Sequence, residues 1–415
     1  MNKKKIIILG AGIAGIKIYQ ELHKKLCHRH TCDVRIMLVN RTNYFTFVPL
    51  LHEASTGGVE DSHVITPLRE FVPCNNHDVY TREVTGVDVA KQVVKTDQGD
   101  MHYDYLVVAM GSSANYFGIP GAQEHSFSIK TYIDAQRLRN HLNSLFEEAS
   151  EAQQKDQRVL MHIAIIGGGA VGVELAGQLG VLLKDVCKLY PRIKRDVFRV
   201  SLVHTGDRLL PQLEPKMSRW ATRELERLGI TLILNHRVVE VKKDAVMLDD
   251  GSVLKTRSNI WTAGAKPNTQ GIIPKELLDE KGFIVVDPTL SVVGHRAIFA
   301  AGDVARIYSM GAPSDAPMIG EFAHNSAKVV AENIARLVRG SPDLKIFHFH
   351  SKGMLIPIGD WFALAKIFGF QFKGRLAWWL RRTVYLMYIY NWRDRFRVVI
   401  DWTLDIFGTR DTTRY

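Results

Sequence analysis

The stretch KIIILGAGIAG, residues 5–15, decides how the chain begins to fold. Residues Lys5 to Leu9 predict a buried parallel strand, and a helical pattern follows Gly15. Between them lies Gly10-Ala-Gly12-Ile-Ala-Gly15, which we call the first glycine loop. Its first glycine permits a tight turn, its second lets the backbone approach a pyrophosphate, and its third lets the helix pack on the strand. The helix N-terminus would offer unpaired N–H groups to the phosphates.

The same pattern occurs a second time. Residues 163–172 read IAIIGGGAVG, a strand from Ile163 to Ile166 followed by the second glycine loop, Gly167 to Gly172. Two complete strand–loop–helix patterns are much stronger evidence than one. The sequence therefore predicts two dinucleotide sites, one for a prosthetic group and one for a dinucleotide that is exchanged.

Composition and charge narrow the classes of partner. The 415 residues, 46% hydrophobic and 23% charged, are typical of a globular protein. The formal net charge is +11, and residues 366–415 contain ten Lys/Arg against four Asp/Glu. A basic excess favours dinucleotide phosphates or acidic lipid, and no nucleic-acid-binding motif accompanies it, so nucleic acid is not an expected partner. No stretch predicts a transmembrane helix.

Further motifs extend the pattern along the chain. YLVVAMGS (105–112) and its echo NIWTAGAKPN (259–268) predict strands that end in small-residue turns, and AIFAAGDVA (297–305) ends in Gly302-Asp303. With FTFVPLLHEASTGGVE (45–60) and GFQFKGRLAWW (369–379), these motifs make the chain resemble the type II NADH:quinone dehydrogenases, flavoproteins with two dinucleotide-binding domains.

The resemblance implies an α/β fold of two Rossmann-like domains with a C-terminal amphipathic helical region that associates with the membrane. We place the FAD domain at 1–117 plus 286–345, the NAD(P)H domain at 118–285, and the membrane and quinone side at 346–415. The implied activity is oxidation of NADH or NADPH through FAD and reduction of a membrane quinone, without proton pumping. Such an enzyme is peripheral (monotopic) and would lie on the cytoplasmic face of the membrane.

The resemblance also assigns the two glycine loops, the first to FAD and the second to NAD(P)H. For FAD it implies contacts at Gly10, Gly12, Gly15, Asn40, Arg41, Val84, Ala109, Gly111, Gly302, Asp303 and Ala323. For NAD(P)H it implies contacts at Gly167, Gly169, Gly172, His204 and Gly264.

Two of these positions depart from the family pattern. Asn40 stands where a carboxylate usually binds the adenosine ribose of FAD, and its amide can still accept and donate. His204 stands where a glutamate usually binds the ribose 2′-OH of NADH and repels the 2′-phosphate of NADPH. We expect relaxed coenzyme specificity, with Arg208 and a protonated His204 able to attract the phosphate.

Three residues are predicted to act in catalysis. Glu174 has two interpretations, a carboxylate in the first turn of its helix that complements the dipole, or the family's glutamate near nicotinamide and flavin. His324 and Lys328 replace the glutamines of the family's Ala-Gln-x-x-x-Gln, and their spacing puts them on one helix face. They would stabilise reduced flavin and deliver a proton to the quinone, or would fill the same space with other hydrogen bonds.

Residues 376–407 are predicted to contact the membrane surface. A helix over 395–407 would have an apolar face made of Phe396, Val399, Ile400, Thr403, Leu404 and Phe407. The preceding aromatic residues are Trp378, Trp379, Tyr385, Tyr388, Tyr390 and Trp392. Between them, Arg381 and Arg382 are expected to extend to lipid headgroups. The alternative is a hairpin buried against protein or in a homodimer, and a dimer could also present both tails to lipid.

Other functions remain open at this point. A sulfide:quinone oxidoreductase needs cysteines near the flavin, and Cys27, Cys32, Cys74 and Cys187 lie in none of the flavin-adjacent segments. Cys27 and Cys32 have the spacing of a redox-active disulfide but precede the second strand, so we expect two reduced thiols rather than a disulfide reductase. The histidines of residues 23–32 are scattered, and no metal site is expected. A non-enzymatic flavoprotein of the apoptosis-factor type is harder to exclude.

Overall fold

The computed structural model describes residues 3–28, 31–72, 78–309, 312–313, 318–388, 392–404 and 410–413. The chain forms two compact units. The first contains Met1–Phe47, Ile65–Ser113 and Ala265–Ser351, and the second contains Val48–Val64, Ala114–Gly264 and Lys352–Tyr415.

The first unit is built on a nine-stranded sheet. Its strands in spatial order are Ala312–Pro313, Ala305–Ser309, Ile284–Val286, Ser291–Val292, His295–Ala300, Tyr105–Val108, Lys4–Leu9, Val34–Asn40 and Asp78–Thr81. The five strands from His295–Ala300 to Asp78–Thr81 in this order run parallel to one another. Ile6 to Leu9 are fully buried, as expected for a strand covered on both faces. The helices Ile13–Leu26 and Gly320–Val338 pack against each other.

Smaller elements complete the first unit. Val84–Asp88, Val93–Thr96 and Met101–His102 form an antiparallel sheet, and Tyr44–Thr46 pairs with Ile65–Pro67. Ser112–Ala114 pairs with Ala265–Pro267.

The second unit has its own parallel sheet, in the order Ile230–Leu234, Arg199–His204, His162–Ile166 and Ser258–Trp261. Its helices are Leu51–Ala54, Asp61–Val64, Ala122–His125, Tyr132–Glu151, Gln154–Leu160, Ala170–Leu189, Pro215–Arg227, Arg375–Tyr388 and Trp392–Leu404. Two antiparallel sheets are formed by Val238–Lys242, Ala245–Leu248 and Val253–Lys255, and by Gly353–Pro357, Ala363–Ile367 and Phe370–Gly374. Both predicted strand–loop–helix units are therefore present, each in its own parallel sheet.

The prediction of two reduced thiols is wrong. Cys27–His28 and Thr31–Cys32 form a short antiparallel pair that places Cys27 directly opposite Cys32, and a disulfide joins them. The disulfide lies at the C-terminal end of the helix Ile13–Leu26. The first glycine loop lies at the other end of this helix, about 20 Å away along its axis. The structure therefore gives no support to a disulfide that exchanges electrons at that loop. Cys74 lies outside the described residues.

Candidate dinucleotide and acid–base sites

The first glycine loop has the geometry that the sequence predicts. Gly10 has a φ of 94° and its N–H donates to the carbonyl of Val39 at 2.8 Å. A Cβ on Gly10 would lie 2.4 Å from the Ala109 carbonyl oxygen, and one on Gly15 would lie 1.8 Å from the Gly10 oxygen. A Cβ on Gly12 would meet no described atom within 4 Å. The outer glycines are thus required by the protein itself, whereas Gly12 leaves open space.

The Asn40 side chain stabilises the first glycine loop by hydrogen bonds. Its side-chain oxygen accepts the Ala11 N–H at 3.0 Å, and its amide nitrogen donates to the Thr42 carbonyl at 2.9 Å. The predicted FAD position Asn40 thus already has partners on both ends of its amide. The neighbouring strand end contributes Ala109, which is buried, and Gly111, whose carbonyl accepts the Asn268 N–H at 3.0 Å.

The Gly302-Asp303 turn lies against the helix Gly320–Val338. Gly302 has a φ of 70°, and its N–H donates to the Ser326 hydroxyl at 3.2 Å. A Cβ on Gly302 would lie 3.3 Å from that of Ala323. Asp303 accepts a hydrogen bond from Ser112 at 2.7 Å. The structure thus brings Gly302, Asp303 and Ala323 together within the first unit.

The second glycine loop repeats the geometry of the first. The Gly167 N–H donates to the Val203 carbonyl at 2.9 Å, and a Cβ on Gly172 would lie 1.9 Å from the Gly167 oxygen. A Cβ on Gly169 would meet no described atom within 4 Å. Gly264, with a φ of 70°, lies beneath the ring of Phe117.

The helix starts at both loops are suited to bind phosphate. Neither Gly12 nor Gly169 provides a side-chain cap, and neither first turn contains an acidic residue. By contrast, Thr131 accepts the Asp134 N–H, and Asp134 accepts the Thr131 N–H, at the start of Tyr132–Glu151. Because the two loop helices keep unpaired N–H groups beside open space, the residues present fit two pyrophosphates.

His204 and Arg208 differ from the prediction made for them. The Gly168 N–H donates to His204 Nδ1 at 3.2 Å, and burial lowers the pKa of His204. Arg208 donates to the Leu213 carbonyl at 2.7 Å and the Pro211 carbonyl at 2.8 Å. These contacts disfavour a protonated His204, and the Arg208 guanidinium is bonded to its own turn.

The sequence prediction missed a group of buried charges in the second unit. Glu53 and Arg381 are almost fully buried and form an ion pair at 2.7 Å. His52 lies 3.5 Å from Glu53 and 3.6 Å from Glu174, and the guanidinium of Arg381 lies 4.4 Å from the ring centre of Tyr385. We call His52, Glu53, Glu174, Arg381 and Tyr385 the buried charge cluster. His52 and Glu53 belong to the FTFVPLLHEASTGGVE motif, whose side chains had no predicted role.

The two carboxyl groups of this cluster have opposite pKa shifts. Burial raises the pKa of Glu174, and the nearby charges of His52 and Arg381 only partly oppose it. Burial also acts to raise the pKa of Glu53, but Arg381 and His52 outweigh it, so that this pKa lies below its ordinary value. These surroundings thus favour the anionic form of Glu53 and the protonated form of Glu174.

The helix-start interpretation of Glu174 is wrong, because the helix begins at Ala170 and its first turn contains no acidic residue. Glu174 is the fifth residue and lies in the following turn. Its other predicted role, near nicotinamide and flavin, stays a prediction.

The tail buries Arg381 inside the protein and leaves Arg382 half-buried, which corrects the expectation that Arg381 extends to lipid. Arg381 is 2% exposed and pairs with Glu53. Arg382 stacks between Trp378 and Trp402, at 4.0 and 4.5 Å from the two ring centres. Trp378 is itself buried against Trp361. The two tail helices, Arg375–Tyr388 and Trp392–Leu404, are therefore anchored to the second unit.

Other parts of the tail remain exposed. Phe396, Val399, Ile400 and Thr403 share an exposed helix face, and Val398 and Trp402 are buried on the other. We call the exposed apolar residues the apolar tail surface: Phe368, Phe370, Leu376, Trp379, Met387, Phe396, Val399 and Ile400. Tyr390 and Phe407, and the side chains of Tyr388, Trp392 and Leu404, lie outside the described residues. Within the described part, no helix combines the length and apolarity needed to cross a bilayer.

The remaining predicted site residues belong to the first unit. Arg41 is exposed and Val84 is half-buried at the start of its strand. On the helix Gly320–Val338, His324 is half-buried and Lys328 is exposed, four residues apart on one face. Their catalytic roles stay predictions.

Comparison with known proteins agrees with this geometry. A type II NADH:quinone oxidoreductase of Mycobacterium tuberculosis is 28% identical, over 99% of this chain and 89% of its own length. The structure of NDH2 from Plasmodium falciparum in complex with NADH has a TM-score of 0.89 at 20% identity and covers 99% of this chain and 100% of its own. A sulfide:quinone oxidoreductase from Aquifex aeolicus has a TM-score of 0.73 at 19% identity, covering 92% and 90%.

The resemblance to type II NADH:quinone dehydrogenases is thereby confirmed, as is the α/β dinucleotide-binding fold. The sequence profile described as pyridine nucleotide-disulphide oxidoreductase matches residues 4–328. Because this match covers more than half of the 415 residues, the chain belongs to the pyridine nucleotide-disulphide oxidoreductase family.

Proposed function

We propose that this protein is an FAD-dependent NADH:quinone oxidoreductase of the type II class, which does not pump protons. The observation that carries the proposal is the pair of uncapped glycine loops, each with open space at its middle glycine and each in its own parallel sheet. One loop suits a resident dinucleotide and the other an exchanged one. The Mycobacterium tuberculosis relative has this activity in its name, and the Plasmodium falciparum NDH2 structure is a complex with NADH.

The residues present fit FAD in the first unit and NADH in the second. Gly10, Gly12 and Gly15 would receive the FAD pyrophosphate, and Asp303 would lie toward its ribityl chain. Arg41, Val84, Ala109, Gly111 and Ala323 would complete that site. Gly167, Gly169, Gly172, His204 and Gly264 would receive NADH. Bound FAD would supply two-electron redox chemistry between the nicotinamide and the quinone.

The buried charge cluster would supply a proton. Reduction of a quinone to a quinol takes up two electrons and two protons, whereas NADH provides two electrons and one proton. One further proton must come from solvent. Glu174 has a raised pKa and lies beside His52, 3.6 Å away, so Glu174 would carry that proton. Glu53 and Arg381 would hold His52 in place.

His324 and Lys328 are proposed to act beside the FAD site. Their helix Gly320–Val338 also carries Ala323, which packs on Gly302. A cation at this point would favour reduced, anionic flavin, and His324 could donate a proton to a quinol oxygen.

Coenzyme selection would be relaxed because His204 replaces a carboxylate. A neutral imidazole bonded to Gly168 neither binds the ribose 2′-OH as a carboxylate does nor repels a 2′-phosphate. With Arg208 bonded to backbone carbonyls, no strong attraction to the phosphate is expected either. NADPH should therefore be accepted alongside NADH.

One anaerobic experiment tests the enzyme and its coenzyme. The purified protein should be yellow, should bleach with NADH or NADPH, and should recover its colour with a quinone. We expect kcat/KM values for the two coenzymes within about a hundredfold of each other. His204→Glu should lower kcat/KM for NADPH relative to NADH by at least about tenfold, since it restores like-charge repulsion. Arg223→Gln on the helix Pro215–Arg227 is a matched surface control.

A protein that stays colourless after reconstitution with FAD would contradict the proposed activity. Steady flavin reduction without reoxidation by any quinone would favour the alternative, a binding flavoprotein of the apoptosis-factor type. A preference for NADH well above about a hundredfold would contradict relaxed specificity alone.

We further propose that the apolar tail surface binds the cytoplasmic face of a membrane peripherally. Leu376 is 72% exposed and Phe396 is 64% exposed, so both side chains can contact lipid directly. Exposed cations accompany them, at Lys373, Arg375 and Arg397. Aromatic and aliphatic side chains interspersed with cations suit an interface with anionic lipid. A homodimer through the same surface is the alternative.

Replacing Phe396 and Ile400 together with serine should lower binding to vesicles of anionic phospholipid by at least about tenfold, because each apolar side chain contributes roughly 1.5–3 kcal/mol when buried. Co-sedimentation measures the effect. Val253→Ser, an exposed apolar residue outside the tail, is the control. Unchanged vesicle binding with a loss of dimer mass would favour the homodimer.

A further inference from the structure

The described end of the chain, residues 410–413, docks on the second unit close to the buried charge cluster. The Arg410 side chain is 9% exposed. Its guanidinium donates to the Thr56 hydroxyl at 2.9 Å and to the side-chain and main-chain oxygens of Gln178 at 2.6 and 3.2 Å. It also lies 3.3 Å from Asp360, a partly exposed carboxylate that balances its charge.

The guanidinium of Arg410 is linked to His52 through the Thr56 hydroxyl. Thr56 follows the short helix Leu51–Ala54, and its hydroxyl donates to the carbonyls of His52 at 3.2 Å and Glu53 at 3.1 Å. The same hydroxyl accepts from Arg410. A chain of two hydrogen bonds therefore connects Arg410 to the backbone of His52.

The guanidinium also contacts the helix that carries Glu174, through Gln178. Gln178 is buried on the helix Ala170–Leu189, four residues after Glu174 and therefore one turn along the same face. Both Gln178 oxygens accept from Arg410. A guanidinium presents its donors in a rigid planar fork, so that one side chain can hold two elements at a set distance.

The local sequence provides room for this contact. Gly57 has a φ of 66°, and a Cβ there would lie 2.2 Å from the Asp411 carbonyl oxygen. A Cβ on Gly58 would lie 3.5 Å from the Arg410 guanidinium. Because Gly57 and Gly58 have no side chains, Arg410 and Asp411 pack against this segment without a steric clash.

We propose that Arg410 is a positioning residue that ties the segment 51–56 to the helix Ala170–Leu189 and so sets the spacing between His52 and Glu174. The inference rests on the acid–base role proposed for Glu174. It gives Arg410 a part in proton delivery, although this residue follows the tail helices in the sequence.

The adjacent Asp411 provides a matched control. It pairs with Arg139, and the Thr413 carbonyl accepts from Asn143 at 2.9 Å, both on the helix Tyr132–Glu151. Asp411→Asn therefore weakens docking of the same segment without removing a bond to Thr56 or Gln178.

The test compares Arg410→Met, Arg410→Lys and Asp411→Asn in the full-length, FAD-loaded protein. Arg410→Met should lower kcat/KM for the quinone about tenfold. It should also shift the pH midpoint of that parameter upward, because His52 lowers the pKa of Glu174 and would move away. Arg381, Glu53 and Tyr385, the other ionisable groups of the cluster, are unchanged in this variant. Arg410→Lys keeps the positive charge but loses the planar guanidinium. The pH midpoint of kcat/KM should therefore also shift upward in this variant, but by less than in Arg410→Met.

Hydrogen exchange gives a second measurement that needs no quinone activity. Arg410→Met should raise exchange in residues 51–58 and 174–180 together, whereas Asp411→Asn should raise it in neither. A wild-type pH profile in Arg410→Met, or the same shift in Asp411→Asn, would overturn the inference. If Arg410→Met does not fold, Arg410→Lys is judged by the same criteria. Absence of quinone reduction in the wild type would count against the proposed function, and the exchange result would still decide the positioning role.

Discussion

Replacing Arg381 with methionine is expected to lower the free energy of unfolding by about 3–5 kcal/mol. The reason is that Glu53, 2.7 Å from Arg381, would remain buried without its cation. Methionine preserves much of the volume, so the loss reports the charge rather than a cavity. Chemical denaturation with saturating FAD measures the effect, with the unfolding of both units monitored separately.

A double-mutant cycle separates the ion pair from other effects. Glu53→Gln combined with Arg381→Met should cost clearly less than the sum of the two single variants, because no uncompensated charge is then buried. Arg397→Met, an exposed arginine of the second tail helix, should change stability by less than about 0.5 kcal/mol. A loss below about 1 kcal/mol for Arg381→Met would show that Glu53 is neutralised by other means.

The pH dependence of stability follows from the same pair. The pKa of Glu53 lies below its ordinary value of 4.5, so the stabilisation by Arg381 is present above pH 4.5. It is lost as the pH falls below 4.5 toward the lowered pKa. Glu53→Gln should remove this acid-dependent loss.

The fold could be predicted because its signals are local. The strand Lys4–Leu9, the turn at Gly10 and the following helix lie within about twenty residues, and steric limits at the glycines leave few alternatives. The same holds for residues 163–172. In these segments local propensity, hydrophobic pattern and turn chemistry all agree, which is the condition under which sequence determines structure directly.

The buried charge cluster could not be predicted in this way. Glu53 and Arg381 are 328 residues apart in sequence, and pattern alone cannot tell which of two neighbouring arginines is buried. An arginine among tryptophans and tyrosines is equally typical of a lipid interface. The pairing of Cys27 with Cys32 was missed for a related reason, since a hairpin of two-residue strands has almost no hydrophobic pattern.

Replacing Glu174 with glutamine is expected to lower kcat for quinone reduction by about 10²-fold or more, the usual size of a general acid–base contribution. The amide keeps the shape of the carboxyl group beside His52, 3.6 Å away, and cannot take up or release a proton. Stopped-flow kinetics should show that reoxidation by the quinone slows while flavin content is retained. The limb of the pH–rate profile that belongs to Glu174 should disappear.

Glu174→Gln should raise the free energy of unfolding at neutral pH although it lowers kcat. Because the pKa of Glu174 is raised, the folded protein binds a proton more tightly than the unfolded chain does, and wild-type stability declines as the pH rises from 4.5 toward the raised pKa. Glu174→Gln removes that decline and should be the more stable protein at neutral pH. Glu124→Gln, an exposed carboxylate of the same unit, should change neither property. An active Glu174→Gln enzyme with an unaltered pH profile would mean that the proton reaches the quinone by another group, with His324 the next to test.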